Sequence, residues 1–254
     1  MKQKKSLGQN FFVNKNLAKK IVSNLLEKQP DIIVEIGPGK GYFTQLIQSQ
    51  FTGKIVLVEK DDELSHFLTQ EYPNTKVINT DFLEWDLNEL ETMNFQKILF
   101  WGSLPYNVSK HIIRKIIESK YFNSDIFFII QKEVADKYIA TKPNNNLLAL
   151  ETNLFARPKK LFDISPASFA PQPKVNSSLI QFSPSEKPVD LDISKFKKFL
   201  RIANSQPRKT LRNNLKGTNF VENAQTKRIL EQRAQHLSLE EYIYLFSQIE
   251  SILV

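Results

Sequence analysis

Three of the seven glycines in this 254-residue chain fall together, in Gly37-Pro38-Gly39-Lys40-Gly41. Glycine after a strand permits a tight turn and lets the backbone approach a ligand closely. Pro38 lacks an amide donor, so the loop suits a ligand without phosphates better than a dinucleotide pyrophosphate. Glu59 follows about twenty residues later, the spacing at which an acid accepts hydrogen bonds from both ribose hydroxyls of an adenosine cofactor. Asp81 comes next and can accept from the exocyclic amine of adenine. Ser103-Leu104-Pro105-Tyr106 completes the set. An aromatic amine resists methylation because its lone pair is delocalised into the ring. A side-chain oxygen and a backbone carbonyl that accept from the amine free that lone pair as the new bond forms. Proline fixes the carbonyl's direction, and Tyr106 offers a ring to stack on the base.

The elements needed to hold these residues are legible. Apolar runs at 32–36, 55–58, 76–78, 97–101 and 125–130 alternate with helical patterns at 17–25, 42–50, 62–71, from 109 and at 132–140. That alternation predicts a parallel sheet covered on both faces. The glycine loop, Glu59, Asp81 and the Ser-Leu-Pro-Tyr segment each follow the carboxyl end of a strand, where such sheets bind ligands. Beyond residue 184 the pattern changes. Pro184 and Pro188 mark a linker, and helices are expected at 193–204, 208–216, 223–232 and 240–252. The expected division is a catalytic domain over 1–184 and a small all-helical domain over 185–254. A glycine loop, an acid after the second strand and an acid after the third follow the order in which methyltransferases hold S-adenosylmethionine.

Composition narrows the chemistry. With no cysteine, disulfides, thiolate metal sites and cysteine nucleophiles are excluded. His66, His111 and His236 stand far apart, so no metal site is expected. No apolar run reaches the ~20 residues of a membrane span, and the basic start is followed by no apolar signal region; a cytoplasmic protein is expected. The net charge of +8 suits a polyanion. It is concentrated in Lys195, Lys197, Lys198, Arg201, Arg208, Lys209, Arg212 and Lys216, with no acid between them, and in six lysines of the first twenty residues. These are candidate contacts to nucleic acid.

Longer motifs carry a resemblance. Ser6-Leu7-Gly8-Gln9-Asn10-Phe11, Glu35-Ile36-Gly37-Pro38-Gly39, Leu104-Pro105-Tyr106-Asn107-Val108-Ser109 and Gln131-Lys132-Glu133-Val134-Ala135 occur in order along the chain. Phe169-Ala170-Pro171-Gln172-Pro173-Lys174-Val175 and Arg208-Lys209-Thr210-Leu211-Arg212-Asn213-Asn214-Leu215 follow them. Together they resemble the ribosomal RNA adenine N6-dimethyltransferases of the KsgA type. The last block favours that type over the Erm resistance methyltransferases.

The resemblance implies a Rossmann-like class I methyltransferase sheet with a small helical C-terminal domain. It implies two methyl transfers from S-adenosylmethionine to each of two adjacent adenosines near the 3′ end of 16S rRNA, in an immature 30S subunit. The enzyme is expected to be a monomer. By resemblance Asn10, Phe12, Gly37, Glu59, Asp81 and Ser103 occupy cofactor positions, joined by Gln9, Gly39, Gly41, Lys60 and Phe82. Ser103, Leu104, Pro105 and Tyr106 form the catalytic motif, with Phe169 as a second stacking surface. Two residues depart from the family pattern: Ser103 replaces its usual Asn, and Phe12 its usual Leu. Two other readings remain open from sequence: an Erm-like enzyme acting on large-subunit RNA, and an RNA-binding assembly factor with little catalysis.

Overall fold

The computed structural model describes residues 11–185 and 191–252. Gln9 and Asn10 lie outside the described residues. Two compact units make up the chain. The first runs to Ala135 and resumes at Pro158–Pro184; the second comprises Asp136–Arg157 and the segment from Ser185. The expected single division after residue 184 is therefore corrected: the chain leaves the first unit at Asp136 and returns at Pro158.

In chain order the first unit contains β1 (Phe11–Phe12), α1 (Lys15–Leu26), β2 (Ile32–Ile36), α2 (Tyr42–Gln48) and β3 (Lys54–Glu59). It continues with α3 (Asp62–Glu71), β4 (Lys76–Asn79), β5 (Ile98–Ser103), α4 (Ser109–Ile117) and β6 (Ile126–Gln131). Next come α5 (Lys132–Tyr138), which runs across the division at Asp136, then β7 (Ala156–Ile164), β8 (Phe169–Ala170) and β9 (Ser177–Pro184). Seven strands form one sheet in the order β4-β3-β2-β5-β6-β9-β7. Neighbours from β4 to β6 run parallel, and β9 joins β6 antiparallel. All five residues of β2 are buried, as expected of a strand covered on both faces, and its one polar side chain, Glu35, is bonded by the Thr44 hydroxyl. Helix α1 starts where the Asn14 side chain accepts the Leu17 amide at 3.1 Å, and it buries Ala18, Ile21, Val22 and Leu25. The chain runs from β2 outward to β3 and β4, then crosses back to β5 on the other side of β2. That reversal opens a crevice at the carboxyl ends of β2 and β5.

The second unit holds α6 (Leu147–Asn153), α7 (Ile193–Ala203), α8 (Leu211–Asn214), β10 (Thr218–Phe220), α9 (Ala224–Leu230), α10 (Leu239–Ser247) and β11 (Ile249–Ile252). Its core gathers Phe196, Phe199, Leu200, Tyr242 and Leu245. The C-terminal segment is not wholly helical, as expected, but carries an antiparallel ribbon of β10 and β11. The helix expected over 208–216 shrinks to Leu211–Asn214, and Gly217 in the left-handed region at φ +93° turns the chain into β10. Among the described residues no helix is long and apolar enough to cross a membrane.

Candidate active site

The crevice is a cavity of about 320 Å³ in the first unit. Its lining includes Phe12, Gly37, Gly39, Glu59, Lys60, Asp81, Phe82, the whole Ser103–Tyr106 motif and Phe169. Topology explains the convergence. Glu59 and Ser103 end β3 and β5, the glycine loop follows β2, and Asp81 follows β4, so four parallel strand ends bring them to one rim. Of the described residues expected at the site, Gly41 alone is not in the lining.

The glycine loop is shaped by its residue type. Gly37, Gly39 and Gly41 have φ of +65°, +60° and +75°, angles that side-chain-bearing residues rarely adopt. A Cβ placed on Gly37 would meet nothing within 4 Å, so the loop leaves open space there. Gly41 serves packing instead, since a Cβ on it would lie 2.6 Å from the Tyr72 hydroxyl, which donates to the Gly41 carbonyl at 3.0 Å.

Glu59 is 6% exposed, and its two oxygens accept the amides of Gly39 and Asp61, each at 3.0 Å. The strand-end acid thereby clamps the glycine loop while its remaining lone pairs stay available. Burial pushes its carboxyl above the usual range, against the downward pull of those amides. Asp81 accepts the Leu83 amide at 2.9 Å and pairs with Lys60 at 2.7 Å. Burial raises its carboxyl too, but the Lys60 and Leu83 bonds outweigh that and hold it below the ordinary carboxylate value. Beneath the loop lies Glu35, fully buried, accepting from the Thr44 hydroxyl at 2.6 Å. Burial raises its carboxyl to about 7 despite that bond.

The Ser103–Tyr106 segment departs from β5 with two acceptors left unbonded. The Leu104 amide donates to the Ile129 carbonyl at 3.0 Å, and the Pro105 carbonyl accepts the Ser109 amide at 3.1 Å, opening α4. Among the described residues, nothing bonds the Ser103 hydroxyl or the Leu104 carbonyl. One is a side-chain acceptor and the other a backbone acceptor, and both residues line the cavity. Tyr106 is held at both ends: Ser109 Oγ donates to its carbonyl at 3.3 Å, and its hydroxyl shares a 3.0 Å hydrogen bond with Ser177 Oγ. Ser177, buried at the start of β9, was not anticipated; it stands 71 residues from its partner, and only the strand pairing joins them. Phe169 and Phe12 are 4% and 6% exposed and meet edge to face at 5.1 Å. They form a wall of the cavity, brought together by the pairing of β1 with β8.

Two carboxylates, Glu59 and Asp81, and a loop with an open approach fit S-adenosylmethionine. The acids accept from hydroxyl and amine donors and favour a cationic sulfonium, whereas they would repel phosphates. Among the described residues no group of three or more His, Asp and Glu could hold a metal ion.

The eight basic residues expected to contact nucleic acid fall into three sets. Arg201 pairs with Glu151 at 3.0 Å, Arg212 with Glu231 at 2.6 Å and Lys195 with Asp192 at 3.4 Å. Lys197 departs from expectation: it is 9% exposed, with its ammonium 5.5 Å from the centroid of the Phe155 ring, because it falls on the packed face of α7. Lys198, Arg208, Lys209 and Lys216 are exposed, and no described carboxylate pairs with them.

Comparison with known proteins places this architecture. A ribosomal RNA small subunit methyltransferase A from Chlorobium phaeobacteroides is 37% identical, over 99% of this chain and 93% of that protein. A dimethyladenosine transferase from Plasmodium falciparum superposes with a TM-score of 0.75 at 20% identity, over 92% of this chain and 95% of that one. The 23S rRNA methyltransferase ErmE gives the same TM-score at 17% identity, over 95% of this chain and 100% of its own. Likenesses this distant show the fold alone. The family model for ribosomal RNA adenine dimethylase matches residues 1–251, and the chain belongs to that family.

Proposed function

We propose that this chain dimethylates N6 of two adjacent adenosines near the 3′ end of 16S rRNA, in an immature 30S subunit, in the cytoplasm and as a monomer. The observation that carries the reading is the pair of unbonded acceptors at Ser103 and Leu104, in the same cavity as Glu59 and Asp81. S-Adenosylmethionine, when bound, supplies an electrophilic methyl group on a sulfonium. Glu59 and Asp81 would hold the nucleoside part, with Lys60 fixing the Asp81 carboxylate. The Ser103 hydroxyl and the Leu104 carbonyl accept the two N–H bonds of the target amine, so that its lone pair turns toward the methyl. Tyr106, locked by Ser177, packs on the base once it has left its stack. No general base is required, because the amine proton becomes acidic as the methyl attaches, and catalysis is chiefly positioning. Lys198, Arg208, Lys209 and Lys216 grip phosphates without reading sequence.

The test is radiolabelled methyl transfer from S-adenosylmethionine to unmethylated 30S subunits, with 50S subunits and duplex DNA as controls. Label confined to 30S and recovered as dimethyladenosine is the expected result. Label on 50S would turn the reading toward the Erm-like activity. Binding to 30S without label would make the chain an assembly factor.

A further inference from the structure

Asp81 and Phe82 reach the cavity on a tight turn after β4. The Asp81 carbonyl accepts the Glu84 amide at 2.9 Å and the Trp85 amide at 3.0 Å, while its carboxylate caps the Leu83 amide at 2.9 Å. A turn closed this way leaves the carbonyls at its far end without backbone donors. Three of them converge on a single atom. Lys115 Nζ, on α4, donates to the carbonyls of Phe82 at 2.9 Å, Leu83 at 2.8 Å and Trp85 at 2.6 Å. An ammonium has three protons, so its donor capacity is saturated. The charge also stands 5.5 Å from the centroid of the Phe82 ring. Phe82 and Trp85 are 4% and 3% exposed, and Lys115 is itself half-buried.

Withdrawing an ammonium from water is unfavourable unless its protons are bonded. Here every proton goes to the turn that carries the adenine-side residues. Helix α4, in turn, is the element that the Ser103–Tyr106 segment runs into. We propose that Lys115 is a positioning residue: it pins the Asp81–Trp85 turn to α4, so that the cofactor's nucleoside pocket and the amine acceptors are held on one rigid piece. The proposal rests on reading the cavity as the S-adenosylmethionine site, and it adds a residue that touches neither cofactor nor substrate.

The experiment measures binding of S-adenosylhomocysteine by calorimetry to the full-length wild type, Lys115→Met and Lys115→Gln, with amide hydrogen exchange on the same proteins. Methionine keeps the stem and removes all three donors; glutamine keeps two N–H groups. Lys115→Met is expected to bind about tenfold more weakly, the size of one lost charge-assisted bond, with Lys115→Gln between it and the wild type. The amides of Glu84 and Trp85 should exchange faster while those of β2 and β3 keep their rates. Wild-type affinity in Lys115→Met overturns the proposal, as does faster exchange spread evenly over the sheet. If Lys115→Met does not fold, unchanged affinity in Lys115→Gln overturns it equally. Failure of the wild type to bind S-adenosylhomocysteine is a different result: it overturns the cofactor reading itself, and the proposal falls with it.

Discussion

In the proposed reaction Ser103 is the side-chain acceptor for the target amine. Its hydroxyl is shorter than the asparagine amide usual in the family, yet it is unbonded by any described group and lines the cavity. Ser103→Ala is expected to lower kcat by roughly 10- to 100-fold with KM for S-adenosylmethionine little changed, the signature of an interaction made mainly in the transition state. Steady-state kinetics on 30S subunits decide it; an unchanged kcat would remove Ser103 from the mechanism. Glu35 makes a prediction about pH. Its folded carboxyl titrates near 7, against 4.5 ordinarily. Between those values the native state therefore holds a proton that the unfolded chain has released. The group's contribution to stability is complete below the lower value and is lost as pH rises through the upper one. Relative to Glu35→Gln, which cannot ionise, the wild type should lose on the order of 3 kcal/mol between about pH 4 and about pH 8. Urea unfolding of both proteins measures this, and a constant difference across that range would refute it. At this scale the sequence showed the acids and the Ser-Leu-Pro-Tyr motif, because their neighbours in the chain identify them. It did not show Ser177 or Lys115, whose partners are brought by other strands and turns.

The elements that carry these residues were legible wherever burial is two-sided. The predominantly apolar runs of β2, β3, β5 and β6 are buried on both faces, and each appears close to its expected bounds. The glycine loop between β2 and α2 is equally constrained. In Gly41→Ala, a φ of +75° is combined with a contact 2.6 Å from the Tyr72 hydroxyl, so a stability loss of about 2–4 kcal/mol is expected. The same change at Gly37, where a Cβ meets open space, should cost only about 1–2 kcal/mol. Denaturant midpoints of the two variants settle the order, and equal losses would mean that Tyr72 simply moves away. The short elements were not legible. Thr218–Phe220 and Ile249–Ile252 are strands only because each supplies the other's edge, and a helical pattern read locally contains no trace of that partner.

For the molecule as a whole, charge is the property that a single sequence reports well and a structure refines. The net charge of +8 pointed to a polyanion, but only the folded second unit shows which cations are committed to internal pairs. Replacing Arg208 and Lys209 with alanine should weaken 30S binding and reduce the slope of log K against log salt by about one for each residue. Replacing Arg201, which pairs with Glu151, should leave that slope nearly unchanged. Filter binding over a salt series separates the two, and equal slopes would show that the internal pairs open on RNA. The contiguous domain division failed for a related reason: Asp136–Arg157 packs with residues far along the chain, and no change of composition marks the excursion.

The pairing of β1 with β8 has a consequence in time. Phe12 lies opposite Phe169 in that ribbon, so one wall of the cavity joins the beginning of the first unit to a segment made near its end. Tyr106 likewise takes its lock from Ser177. During synthesis the glycine loop, both acids and the catalytic motif all leave the ribosome before either closing partner exists. The chain made up to that point holds the glycine loop, Glu59, Asp81 and the Ser103–Tyr106 segment, but neither Phe169 nor Ser177. The pocket is therefore complete only once β8 and β9 have been made and have paired with β1 and β6.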